Sequence, residues 1–247
     1  LMEYKEMIKP YVTDTSAYLH QALKEGKKVL LEGQLGSLKD PDHGIYPMVT
    51  SSSTLAPYGA IGAGIPASSI QDVVTVVKAY SSAVGAGAFV SEIFGGFVLD
   101  HIEAGKSMEI YKYLHLDKLD CCVAIIKNAK SNKMGKKDIL KIDEEFTLDL
   151  DVLGYLDEIP MCVGYEIDGK VTKDFPTTAQ LEKAKPVLKT FPGWKSDIRG
   201  ITKYEDLPEA CRNYIEAIEQ EIEAPITMVS NGPGRHEIIH RVSSYSK

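Results

Sequence analysis

No GxxxxGK[ST] or GxSxG motif occurs in the 247 residues. The sequence therefore offers no Walker phosphate loop or nucleophile elbow to name a chemistry outright. Cysteine is scarce: Cys121, Cys122, Cys162 and Cys211 form no CxxC pair, and none stands near a histidine at metal-ligand spacing. That excludes a patterned zinc site and predicts reduced, mostly buried thiols. No apolar run approaches the roughly 18–20 residues of a membrane helix, so no membrane partner is expected. The opening Leu1-Met2-Glu3-Tyr4-Lys5-Glu6 lacks the basic-then-apolar layout of a signal peptide, and the expected address is cytoplasmic. Positive charge is short as well, with 28 Lys+Arg against 35 Asp+Glu and a net charge of -7. Such a chain is poorly suited to neutralising a nucleic-acid backbone by counterion release, so no nucleic acid is expected as partner. A mononucleotide remains compatible, because a few backbone N–H groups and one or two cations can hold its phosphates.

What is present is enough apolar content, 44%, for one sizeable core, and a single domain over 1–247 is expected. Tyr4 to Ile8 reads as the middle of a helix, so sequence upstream of Leu1 is expected. Thr13, Asp14 and Thr15 offer an N-cap for a helix over 15–25 that Gly26 can end with positive φ. Val29-Leu30-Leu31, closed by Glu32-Gly33, has the pattern of a buried parallel strand. From Gly33 to Pro66 the chain is polar and punctuated by glycine and proline, and long loops of this kind are usually functional. Ser68 or Ser69 then caps an expected helix with Ile70, Val73, Val74 and Val77 on one core face, although β-branched residues also favour strands.

Another helix is expected over 108–127, followed by a solvated linker from Lys127 to Lys137. Cys162 to Ile167, Asp168-Gly169 and Lys170 to Thr172 read as a hairpin with a two-residue turn. Asp206 and Pro208 open a helix whose inner face carries Cys211, Tyr214, Ile215, Ile218 and Ile222, and the strand Ile226 to Val229 follows. The pattern predicts an α/β fold with a mostly parallel central sheet flanked by helices, plus a small antiparallel hairpin.

Two segments have the form of a strand running into a glycine loop: Gly33-Gln34-Leu35-Gly36-Ser37 and Ser230-Asn231-Gly232-Pro233-Gly234. Loops at the carboxyl ends of parallel strands converge on one crevice in α/β sheets. Glycines there let backbone N–H groups approach a flat base or a phosphate, and Ser or Asn adds directional hydrogen bonds. Turn formation explains such loops equally well. Asp40-Pro41-Asp42-His43-Gly44 places two carboxylates beside an imidazole, which suits metal binding or acid–base work. A turn held by Asx hydrogen bonds is the favoured alternative.

The run from Glu32 to Ser52, with Gly33-Gln34-Leu35-Gly36-Ser37-Leu38-Lys39-Asp40-Pro41-Asp42-His43-Gly44 and Tyr46-Pro47-Met48-Val49-Thr50-Ser51-Ser52, resembles the long signature loop of adenylosuccinate synthetases. The likeness continues through Lys78 to Gly87, Leu150 to Leu153, the hairpin, Pro192-Gly193-Trp194, Asp206-Leu207-Pro208 and Ser230 to Arg235. It spans roughly residues 7–95 and 147–240. The resemblance implies the fold of that family and its reaction: GTP-dependent ligation of IMP and L-aspartate in AMP biosynthesis, with Mg2+, in a homodimer. Carried over by position, Gln34, Thr50 and Val84 would line the IMP site. Asp151 would accept from the guanine base, and Ser230, Asn231 and Gly232 would close over the same ring of GTP.

The chain departs from the family in several places. Leu35 stands where the family usually has glutamine, and Asp149 where a lysine usually precedes the guanine-binding aspartate. The family's N-terminal phosphate loop, with its catalytic Asp and His and its magnesium, has no counterpart, so no catalytic or metal residue is assigned within the sequence and no turnover is expected of it alone. Residues 96–146 read as a divergent helical or linker insert in place of the loop that grips aspartate. The alternative is a non-catalytic nucleotide-binding or assembly module derived from that family.

Overall fold

The computed structural model describes residues 2–79, Val90, 143–150, 153–154 and 156–243. Two sheets organise them. One has four strands in the order β1-β2-β6-β7, where β1 is Asp72–Lys78, β2 is Asp143–Asp149, β6 is Ile226–Ser230 and β7 is Ile238–His240. The other has three strands in the order β4-β3-β5, where β3 is Glu158–Ile167, β4 is Lys170–Thr172 and β5 is Lys185–Pro192. β1 pairs with β2, and β2 with β6, in parallel. The β6–β7, β3–β4 and β3–β5 ladders are antiparallel. The antiparallel share thus exceeds the small hairpin expected, because β5 joins β3 along most of its length.

The core forms where helix α4, Glu209–Ile222, packs on this framework. Its Cys211, Tyr214, Ile215, Ile218 and Ile222 are all buried, as their 3.6-residue spacing predicts. They meet Leu150, Leu153, Ile159, Met161, Ile226 and Val229 in one cluster. Each fully buried Leu or Ile contributes about 1.5–3 kcal/mol of transfer free energy. Tyr214 satisfies its hydroxyl by donating to Ala79 O at 2.9 Å, which ties α4 to the chain leaving β1. Its ring takes Phe191 edge-on at 5.6 Å. Where α4 ends, Glu223 adopts φ 55 and turns the chain into β6.

The hairpin forms as expected: Tyr165 pairs with Thr172 and Ile167 with Lys170. Asp168 and Gly169 have φ 50 and 78, the two left-handed central residues that a type I′ turn requires. At the other end of the chain, α1 spans Met2–Ile8 and α2 spans Thr15–Lys24. Asp14 caps α2 by accepting from Ala17 N at 2.9 Å, and Gly26 beyond its end has φ 71.

Three expectations fail. The segment after Ser69 is strand β1, not a helix. The β-branched run Val73-Val74-Thr75-Val76-Val77 fits a pleated strand, and parallel pairing with β2 satisfies its backbone. Only Val77 of the expected core face is fully buried; Val74 and Val76 are 52% and 73% exposed. Val29-Leu30-Leu31 is not a strand: no ladder includes it among the described residues, and Leu30 is 94% exposed. A strand needs a paired neighbour, and Leu31 instead lies against Gly59 of helix α3, Ala56–Ala63. That helix lies inside the stretch expected to be loop. It starts beside Pro57 and ends at Gly64 with φ 68, where Gly64 O accepts from Ser16 Oγ at 2.9 Å.

The expected helix over 108–127, the Lys127–Lys137 linker, the 96–146 insert, Cys121 and Cys122 lie outside the described residues. Cys162 and Cys211 are buried and neither is in a disulfide, as expected of reduced thiols. Among the described residues, no helix is long and apolar enough to cross a membrane.

Candidate functional site

Asp40, fully buried, organises the first glycine loop. Its Oδ1 accepts from Asp42 N and His43 N, each at 3.0 Å, which closes the local Asx turn. Its Oδ2 accepts from Ser53 Oγ at 2.7 Å and Thr54 N at 3.0 Å, which brings in the far end of the loop. Burial alone would raise the carboxyl's pKa. The hydrogen bonds from Ser53, Thr54, Asp42 and His43 outweigh it and hold the group below its ordinary range.

Inside this frame, Gly44 N donates to Asp40 O at 2.8 Å and Ile45 N to Leu38 O at 2.9 Å. A Cβ on Gly44 would collide with those two carbonyls, which is why glycine stands there. Leu38 and Ile45 point inward and share a small apolar cluster with Leu181, anchoring the loop from below. Gln34 and Thr50 sit on this scaffold. Gln34 Nε2 donates to Ser52 Oγ at 2.8 Å on the exposed side. Thr50 is held through its backbone, donating to Lys39 O at 2.8 Å, and Lys39 Nζ in turn donates to Met48 O at 3.0 Å.

The second loop leaves the end of β6. Ser230 pairs with Asp149 of the parallel neighbour β2, and Leu150 N donates to Ser230 O at 2.9 Å. The chain at residue 150 is thereby stitched to the start of the loop. Ser230 Oγ donates across the turn to Gly232 O at 3.0 Å. Asn231 is fully buried, and its Nδ2 donates to Ile198 O at 2.7 Å and Ile201 O at 2.8 Å. Its Oδ1 has no hydrogen-bond partner. The Asn231 side chain therefore faces the protein and fixes the loop to the 198–201 turn. Glu237 completes the loop from its far side and was not singled out by the sequence; its backbone accepts from Asn231 N at 2.9 Å.

The base of β6 is braced independently. Glu219, buried on α4, accepts from Ile226 N at 2.7 Å and pairs with the buried Arg241 at 2.9 Å. The Arg241 guanidinium lies 4.3 Å from the centre of the Tyr204 ring.

The structure thus groups Ser230, Asn231 and Gly232 on one strand end, and Gln34 with Thr50 on one loop. Val84 and Asp151 lie outside the described residues, although Asp151 follows directly on Leu150. Asp40, Asp42 and His43 form the Asx turn. Among the described residues, no group of three His, Cys, Asp or Glu side chains is placed to hold a metal. Both oxygens of Asp40 are already taken by donors. The described residues do not fit the magnesium that the resemblance implies.

Two glycine loops, one delivered by a strand end and one built around a buried carboxylate, sit on a fold of the α/β class. The chain belongs to the adenylosuccinate synthetase family, whose model matches residues 1–239. It is 40% identical over 239 residues to the adenylosuccinate synthetase of Parafrankia sp., covering 96% of this chain and 54% of that protein. The synthetase of Mycobacterium bovis is 39% identical over 244 residues, covering 98% of this chain and 54% of that one. A solved structure of fully ligated adenylosuccinate synthetase from Plasmodium falciparum superposes with a TM-score of 0.79 at 29% identity, over 98% of this chain and 56% of that one. The chain spans about half the length of these relatives.

Proposed function

We propose that this chain carries the IMP-contacting loop and the guanine-recognising loop of a GTP-dependent ligase that joins IMP to L-aspartate in AMP biosynthesis. The ligase acts in the cytoplasm as a homodimer and uses Mg2+ held by residues other than those described. The observation that supports this reading most is the bond from Leu150 N to Ser230 O at 2.9 Å, within a chain matching the synthetase family over residues 1–239. It joins the backbone leading into Asp151 to the loop of Ser230, Asn231 and Gly232. A carboxylate at that place can accept from the ring N–H and amino N–H of guanine, donors that adenine does not present in the same arrangement. In this reading Ser230 and Gly232 border the same ring, while Asn231 serves by holding the turn. Gln34, Thr50 and Val84 contact IMP. No residue here is assigned to phosphoryl transfer.

Titration calorimetry of the purified chain with IMP and with GTP tests the reading, and a saturable heat with each is expected. The second reading, a module whose role is assembly with another chain, draws on the exposed apolar side chains of Leu30, Val74 and Val76. Absence of heat with both nucleotides would leave that reading alone.

A further inference from the structure

Glu237 touches the Ser230–Gly234 loop more extensively than any residue assigned above. Its N donates to Gly234 O at 2.9 Å, its O accepts from Asn231 N at 2.9 Å, and its Oε2 accepts from Gly234 N at 2.5 Å. Gly232 and Gly234 both face the same carboxylate. Neither is among the glycines with left-handed φ, so backbone freedom does not account for them. A Cβ at either position would instead run into the carboxylate; at Gly234 it would come within 2.6 Å of Oε2. The glycines leave room for Glu237, and Glu237 in return holds their backbone.

We propose that Glu237 is a positioning residue for guanine nucleotide, holding the Asn231–Gly234 backbone in its binding shape before the ligand arrives. This rests on the guanine-loop reading given above. A loop already ordered by three hydrogen bonds loses less conformational entropy on binding than a free one. A carboxylate acceptor bonds Gly234 N more strongly than a neutral carbonyl would. Glu237 touches no reacting atom in this account; it acts through Gly232 and Gly234.

The test uses the whole chain with Glu237→Ala, the conservative Glu237→Gln, Gly232→Ala, and the double variant. Amide exchange at Gly234 is expected to rise about tenfold in Glu237→Ala. The Kd for GTP is expected to rise about tenfold, equivalent to about 1.4 kcal/mol, while the Kd for IMP stays unchanged. Glu237→Gln, which keeps a neutral acceptor, falls between the two. Gly232→Ala is expected to weaken GTP binding more in the wild-type background, where it must displace the carboxylate, than in Glu237→Ala, where the space is open. A residue that merely supported the fold would move GTP and IMP binding together and would show no rescue by glutamine. Unchanged Gly234 exchange and unchanged GTP affinity in Glu237→Ala would overturn the proposal. If the wild-type chain bound no GTP, the guanine reading would fail by itself. Gly234 exchange would still decide the role of Glu237: faster exchange upholds loop positioning, and unchanged exchange overturns it.

Discussion

Ser53 Oγ donates to Asp40 Oδ2 at 2.7 Å across thirteen residues of sequence, and this contact closes the signature loop on a buried charge. Replacing Asp40 with alanine leaves the backbone N–H groups of Asp42, His43 and Thr54 and the hydroxyl of Ser53 without their acceptor. A loss of about 2–4 kcal/mol is expected, read as a fall in the urea midpoint at neutral pH.

The same carboxylate gives a pH signature. Its pKa is lower folded than unfolded, so its stabilisation is complete above the unfolded value of about 3.9 and is lost as pH falls through the folded value. Asp40→Asn should flatten the acid side of the stability curve relative to wild type, measured as urea midpoint against pH from 6 down to about 2. Parallel curves would show that Asp40 titrates alike in both states.

Asn231→Ala leaves the carbonyls of Ile198 and Ile201 without their donor in a buried place. A cost of about 2–3 kcal/mol is expected in thermal or urea unfolding. Asn231→Asp should cost more, because its carboxylate would face two carbonyl oxygens.

Glu219 and Arg241 are 1% and 3% exposed in their side chains, so each neutralises the other's charge in the interior. Removing either alone, as Glu219→Ala or Arg241→Ala, is expected to cost about 3–5 kcal/mol. Replacing both with alanine should cost clearly less than the sum of the single losses. Additive losses in a double-mutant cycle would contradict the pairing.

Cys211 is fully buried, and that burial pushes its thiol up to about 12. At pH 8 only about one in ten thousand of these groups is a thiolate, and thiolate is the reacting form. Peptide mapping after iodoacetamide treatment should find Cys211 unmodified in the native protein and modified in urea.

The parts of the fold that were legible share one property: the information is local. The i, i+3, i+4 spacing of Cys211, Tyr214, Ile215, Ile218 and Ile222 states which face of α4 is buried. Asp168-Gly169 states its turn because few other pairs tolerate two left-handed residues. Val73 to Val77 satisfied two periods at once, and only pairing with β2, some seventy residues on, chose the strand. Leu30 looked like a core residue because an apolar run carries no sign of whether a neighbouring strand is there to receive it. At the site, the glycines and the serine–threonine run were visible. Their hub was not, since Ser53 and Thr54 reach Asp40 through space. Nor could the sequence show that Asn231 turns its amide inward, or that Glu237 fills the space over Gly232 and Gly234.

Base discrimination tests the central claim most directly. Titrating the chain with GTP and with ATP under identical conditions, alongside the variant Asp151→Ala, should give GTP binding at least tenfold tighter than ATP in the wild type, about 1.4 kcal/mol. That preference should be absent in Asp151→Ala. Equal affinity for the two nucleotides, or a guanine preference that survives loss of Asp151, would contradict the account.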